Sequence, residues 1–154
     1  MHQAPPSGPI TPGAYLRRRR DASGLGLRQA AASMVAHPAA IRLPSSSAIT
    51  RMALRLGAAE DDTQPLSDAQ VSLLQDIFPF DPAIYHRLVA IHHAGANLAP
   101  PQLCRSCACS WFDPCQTLQG SCGWAAPDLC TACAEREAPP PAQPHPASCA
   151  QVAA

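Results

Sequence analysis

Residues 103–133 read LCRSCACSWFDPCQTLQGSCGWAAPDLCTAC and hold seven of the chain's eight cysteines. Their spacing is Cys104-x2-Cys107-x-Cys109-x5-Cys115-x6-Cys122-x7-Cys130-x2-Cys133, so two CxxC pairs, Cys104/Cys107 and Cys130/Cys133, bracket 22 residues. A CxxC turn sets two sulfurs on one side of a tight knuckle, and two knuckles facing each other supply a tetrahedral all-sulfur shell. Trp111, Phe112 and Trp124 are the large apolar groups of this segment. So small a set buries too little surface for the segment to fold by itself. Metal ligation is expected to supply the missing free energy, on the order of 10 kcal/mol or more per structural zinc. The three aromatics are expected to pack over the ligand cage.

Cys109, Cys115 and Cys122 do not close a tetrahedral site. Two ions sharing one sulfur would use all seven thiolates. One zinc with three spare thiols, or a second site completed by His92, His93 or Asp113, fits the composition as well. Zinc is the expected cofactor, with an iron–sulfur cluster as the alternative, because four-cysteine ligation suits both. Redox catalysis by CxxC requires the motif at a helix start in a βαβ setting, and no strand pattern is present. Cys149 stands alone and reads as a spare thiol. Adjacent helical residues face different directions, so His92 and His93 are expected to pack or to meet solvent rather than share an ion.

Outward from the cysteines, the chain reads as helical. Thr11-Pro12 is a helix-start signal for Pro12 to Ala22, which Ser23-Gly24 ends. Leu27, Ala30, Ala31, Met34 and Val35 give one apolar stripe, hence a second helix over 27–35. A third is expected over 47–56, closed by Gly57, with an acidic loop from Ala58 to Pro65. Ser67 and Gln70 form a capping box ahead of Val71, Leu74, Ile77 and Phe78, and Pro79 stops that helix. Asp81-Pro82 opens a last one, with Ile84, Tyr85, Leu88, Val89 and His92 on its buried stripe and Gly95 as the stop. The expected architecture is mainly α. A loose arm (1–10) precedes a short helical bundle with a helix-turn-helix-like start (11–95), and a linker (96–103) leads to a metal-stabilised cysteine-rich module (104–137). A Pro-rich tail (138–154) has too few apolar groups to order itself.

Composition bounds the rest. The 154 residues include 18 Pro, 5% aromatic and 14% charged side chains, so small units joined by Pro-rich loops are expected. Eleven basic residues, all Arg, balance eleven acidic ones, and any nucleic-acid contact must rest on a local patch. No run approaches the roughly 18 apolar residues of a membrane span. The first twenty residues lack an apolar core behind a positive start, so a cytoplasmic setting with reduced thiols is expected, and a disulfide framework is not.

The stretch PGAYLRRRRDASGLGLRQAA (12–31) resembles the start of lambda-repressor-type (xenobiotic-response-element) helix-turn-helix regulators. Gly13, Leu16, Arg17, Arg20, Gly24, Leu25, Leu27 and Ala31 occupy the positions of that pattern. The resemblance covers about Thr11 to Val35 and implies DNA reading by the second and third helices. Pro38 and Pro44 interrupt the place where the turn and reader would follow. From about Thr11 to Cys133 the arrangement is also similar to small prophage-encoded alphaproteobacterial proteins, a resemblance that brings no mechanism.

Two functions follow as expectations. The first is a phage-related DNA-binding or transcription-associated protein with a structural zinc module. In it Arg17, Arg18, Arg19 and Arg20 would clamp phosphates, aided by Arg28 and Arg42. The second is a zinc-stabilised adaptor that binds a protein and no DNA, and a thiol or iron–sulfur redox sensor is a further alternative. No paired carboxylates, nucleophile–base set or phosphate loop suggests an enzyme, and no small-molecule substrate is indicated.

Overall fold

The computed structural model describes residues 9–40 and 44–138. The expected arm, Arg42, the tail beyond Ala138 and Cys149 lie wholly or largely outside the described residues. The fold is mainly α. Helices α1 (Pro12–Ala22), α2 (Leu27–Ala36), α3 (Ser46–Glu60), α4 (Asp68–Gln75) and α5 (Pro82–Ala94) form a body. Four very short strands follow: β1 (Gln116–Thr117), β2 (Gly120–Ser121), β3 (Trp124–Ala126) and β4 (Leu129–Cys130). Helix α6 (Thr131–Glu137) closes the order. No helix among the described residues is long and apolar enough to cross a membrane.

The helix starts follow from capping chemistry. Thr11 Oγ1 accepts from the Ala14 amide at 3.1 Å, with Pro12 at the first helical position. Gly26 offers no side-chain cap to α2, but its own N–H donates to Gln29 Oε1 at 2.7 Å, which is half of a capping box. Ser45 caps α3, Ser67 with Gln70 forms the box at α4, and Asp81 caps α5. Gly95 ends α5 in the left-handed conformation (φ 64°) that a residue without Cβ adopts freely.

Helix α3 departs from the expected stop. It runs through Gly57 to Glu60: Gly57 keeps helical backbone, and a Cβ there would make an ordinary contact, 3.5 Å, with Leu27 of α2. The chain then leaves the helix at Asp62 (φ 57°), an αL position that Asp tolerates. The Asp62 carboxylate accepts from the Gly13 amide at 2.7 Å, so the end of α3 caps the start of α1. The fit is tight, since a Cβ on Gly13 would meet Glu60 O at 2.5 Å and Ala59 O at 2.6 Å. The link between α2 and α3 spans residues 37–45, longer than the three- or four-residue turn of a helix-turn-helix.

The body core joins Tyr15 and Leu16 of α1 with Met34, Leu56, Val71, Leu74, Phe78, Phe80, Tyr85 and Leu88. Its two buried phenols are satisfied by backbone: Tyr15 accepts from the Asp81 amide and Tyr85 from the Leu66 amide, both at 2.8 Å. Burial pushes both phenols above their ordinary range. Leu103 and Ala108 belong to this same core, so the cysteine module is seated on the helical body.

Candidate metal centre

The seating begins in the first knuckle. The Ala108 amide donates to Cys104 O at 2.8 Å, the Cys104 amide donates to Cys109 O at 3.0 Å, and Ala108 adopts φ 59°. A residue with a Cβ in that region costs roughly 1–2 kcal/mol. The Ala108 methyl is fully buried in the body core, which offsets part of that cost. Beside it, Asp113 receives the Arg19 guanidinium at 2.6 Å, while Arg19 Nε donates to Pro79 O at 3.0 Å. Arg19 is nearly inaccessible, so this pair ties module to body through a desolvated contact. Burial raises the Asp113 carboxyl, and Arg19 opposes that shift.

The second half of the module is a hairpin leading into a helix start. Strands β3 and β4 pair antiparallel, Trp124 opposite Cys130. Cys130 is then the cap residue of α6, with Cys133 in its first turn. The Arg105 amide donates to Asp128 O at 2.7 Å, and its guanidinium bonds Asp128 and Glu137, tying the first knuckle to the second. The outlying hairpin β1–β2 carries Cys115 at its entry and Cys122 at its exit, joined where the Cys122 amide donates to Cys115 O at 2.9 Å.

These elements bring the sulfurs of Cys104, Cys107, Cys130 and Cys133 within 4.8 Å of one another, all four residues buried. A second set, Cys107, Cys109, Cys115 and Cys130, meets the same distance. The Cys107 and Cys130 sulfurs are 3.8 Å apart, which matches the ~3.8 Å edge of a thiolate tetrahedron built on bonds of about 2.3 Å. Backbone amides complete the cage: Cys130 N–H points at Cys104 Sγ at 3.4 Å and Cys115 N–H at Cys122 Sγ at 3.1 Å. The residues present fit a thiophilic metal ion. All seven cysteines of the segment are free thiols.

Electrostatics agree with that fit. The Cys104 thiol is lowered, chiefly by hydrogen bonds from Cys107 and Cys109, while Cys107 and Cys109 are raised, chiefly through Cys104. Burial raises Cys130 and Cys133. So crowded a set holds one negative charge readily and resists the next, and a dication removes that conflict. Arg136 donates to Cys133 Sγ at 2.9 Å, and the sulfur's charge raises the guanidinium in turn.

Several expectations change. Trp111 and Phe112 do not cover the cage: they are 72% and 84% exposed. Trp124 does pack on it, together with Leu129, Ala126, Ala132 and Ala134. His92 is exposed rather than on the buried stripe, and His93 meets solvent as expected. Their rings nevertheless approach to 4.9 Å, and with Asp62 they offer three ligand atoms within 4.8 Å. The arginine run is largely committed to the chain's own carboxylates. Arg20 grips Glu60 through two bonds of 2.6 and 2.8 Å. Arg17 bonds Asp61 at 2.6 Å and reaches Glu60, and Arg19 holds Asp113. Arg18 is half-buried, and exposed Arg28 makes a long contact with Thr50 at 3.4 Å. Glu60, placed in a loop by its sequence context, is the buried partner that the run required, and no local signal marked it.

Comparison with family models, with curated proteins and with solved structures returned no match. A groove of about 620 Å³ between α2, α3 and α4 is lined by Met34, Met52 and Leu73, with Arg51 and Arg55 also on its wall. Its lining brings no acid–base pair together.

Proposed function

We propose that the chain is a zinc-stabilised adaptor whose metal-held module presents an aromatic edge to a protein partner. The observation that carries this reading is the exposure of Trp111, Phe112 and Leu118 on a segment braced by the cysteine cage and by Arg19–Asp113. Large apolar groups left in water on a rigid frame suit recognition by a protein surface. A groove of about 300 Å³ between Trp111 and Trp124, floored by Cys109 and Cys122, gives a partner's side chain a place to enter. Zinc is favoured over an iron–sulfur cluster because the sulfurs converge to single-ion distances. A cluster interposes several irons and sulfides and needs its thiolates farther apart.

The DNA-binding reading draws support from the resemblance of residues 12–31 and from exposed Arg28. Against it stand the zero net charge and the ion pairs that occupy Arg17, Arg19 and Arg20. The discriminating experiment uses the zinc-loaded full chain. The adaptor passes through duplex-DNA resin at physiological salt, and it binds a partner that can be reconstituted from purified components. Trp111→Ser/Phe112→Ser loses that partner while unfolding at the same temperature. Salt-dependent retention on DNA, together with partner binding unaffected by the double substitution, contradicts the proposal.

A further inference from the structure

We infer that the module holds two metal ions rather than one, in an edge-sharing pair with Cys107 and Cys130 as bridging thiolates. The inference rests on the reading of the module as metal-held. Its basis is the overlap of the two tetrads: each is complete in itself, and they have Cys107 and Cys130 in common. Two tetrahedra that share two corners share an edge, and the shared edge here measures 3.8 Å. Cys104 and Cys133 then serve one ion alone, and Cys109 and Cys115 serve the other. The sequence count had suggested seven thiolates with one shared, whereas the geometry uses six with two shared.

The chain's own architecture explains why these two sulfurs occupy the centre. Cys107 ends the first knuckle and Cys130 caps α6, one from each half of the module, and their sulfurs meet at 3.8 Å. Cys115 is carried in by the outer hairpin to 3.3 Å from Cys107. Cys109, 1% exposed, is brought inward by the left-handed turn at Ala108. Cys122 falls outside both tetrads. It lies 3.8 Å from Cys109 and takes the Cys115 amide, so it braces the second set without ligating. Two dications among six thiolates leave a net charge of about −2, and the Arg136 guanidinium on Cys133 offsets part of it.

The test uses the full chain, expressed with zinc and purified under reductant, with elemental analysis and native mass spectrometry as readouts. Two zinc ions per chain are expected. Cys109→Ser/Cys115→Ser should retain one ion, and Cys122→Ser should retain two. In the cadmium-113-substituted chain, NMR should show two metal resonances, both correlated with the β-protons of Cys107 and Cys130. A single ion in the native chain overturns the pair and leaves the metal-held module standing, whereas no ion overturns both. Loss of one ion in Cys122→Ser overturns the edge-sharing assignment in favour of a seven-thiolate arrangement.

Discussion

Glu60→Ala tests whether the arginine run is architectural. The Glu60 side chain is 4% exposed and takes two bonds from Arg20, itself 9% exposed, with Arg17 alongside. Removing one partner of a buried pair costs about 3–5 kcal/mol, because the remaining charge stays desolvated. Arg20 keeps the Asp21 carboxylate and Leu25 O, so the lower end, about 3 kcal/mol, applies. For a helical body of this size that corresponds to a fall in melting temperature of roughly 12–24 °C. Thermal unfolding of the full chain, followed by circular dichroism at 222 nm, reads it directly. The double substitution Arg20→Met/Glu60→Leu removes both charges and should recover all but about 1 kcal/mol. A loss below about 1 kcal/mol in Glu60→Ala, or a double variant as unstable as the single, refutes the reasoning.

Three further outcomes are expected. Gly13→Ala drives a Cβ into the Glu60 and Ala59 carbonyls and should cost about 2–3 kcal/mol in denaturant unfolding, with the Asp62 cap on α1 lost. Asp113→Ala leaves Arg19 buried against Pro79 O alone; partial exposure of the pair reduces the cost to about 1–3 kcal/mol. Hydrogen exchange in that variant should rise at Ala108 and Ser110 before it rises in α1. Lowering the pH should release the metal: the ligands bind as thiolates, so protons compete, and affinity falls as pH falls. A metal content unchanged down to the pH where the helical body unfolds would contradict thiolate ligation.

How much of this was legible depended on how far apart the partners lie in the chain. The starts of α1 and α4 and both ends of α5 were readable, because Thr11-Pro12, Ser67/Gln70, Asp81-Pro82 and Gly95 act within a few residues of themselves. Gly57 misled for a physical reason: a glycine lowers helix propensity without ending a helix, and α3 continues past it until the left-handed turn at Asp62. The arginine run read as a solvent-facing clamp since its carboxylates come from 40 or more residues away, at Glu60 and Asp113. The strands, two or three residues each, are too short to leave an alternating pattern. The convergence of Cys104, Cys107, Cys130 and Cys133 into a group able to hold a metal ion was legible from CxxC spacing. Which sulfurs are shared was not, because it depends on the hairpin that folds Cys115 back onto Cys107.

The account stands or falls on metal–sulfur bonds holding residues 103–137 in shape. Hydrogen–deuterium exchange on the full chain, before and after removal of metal by a strong chelator under reductant, tests this most directly. The account predicts that amides such as Cys104, Ala108, Cys122 and Thr131 lose protection in the metal-free chain, that α3 and α5 keep theirs, and that zinc restores the difference. Unchanged protection across the module in a chain shown to be free of metal would contradict it.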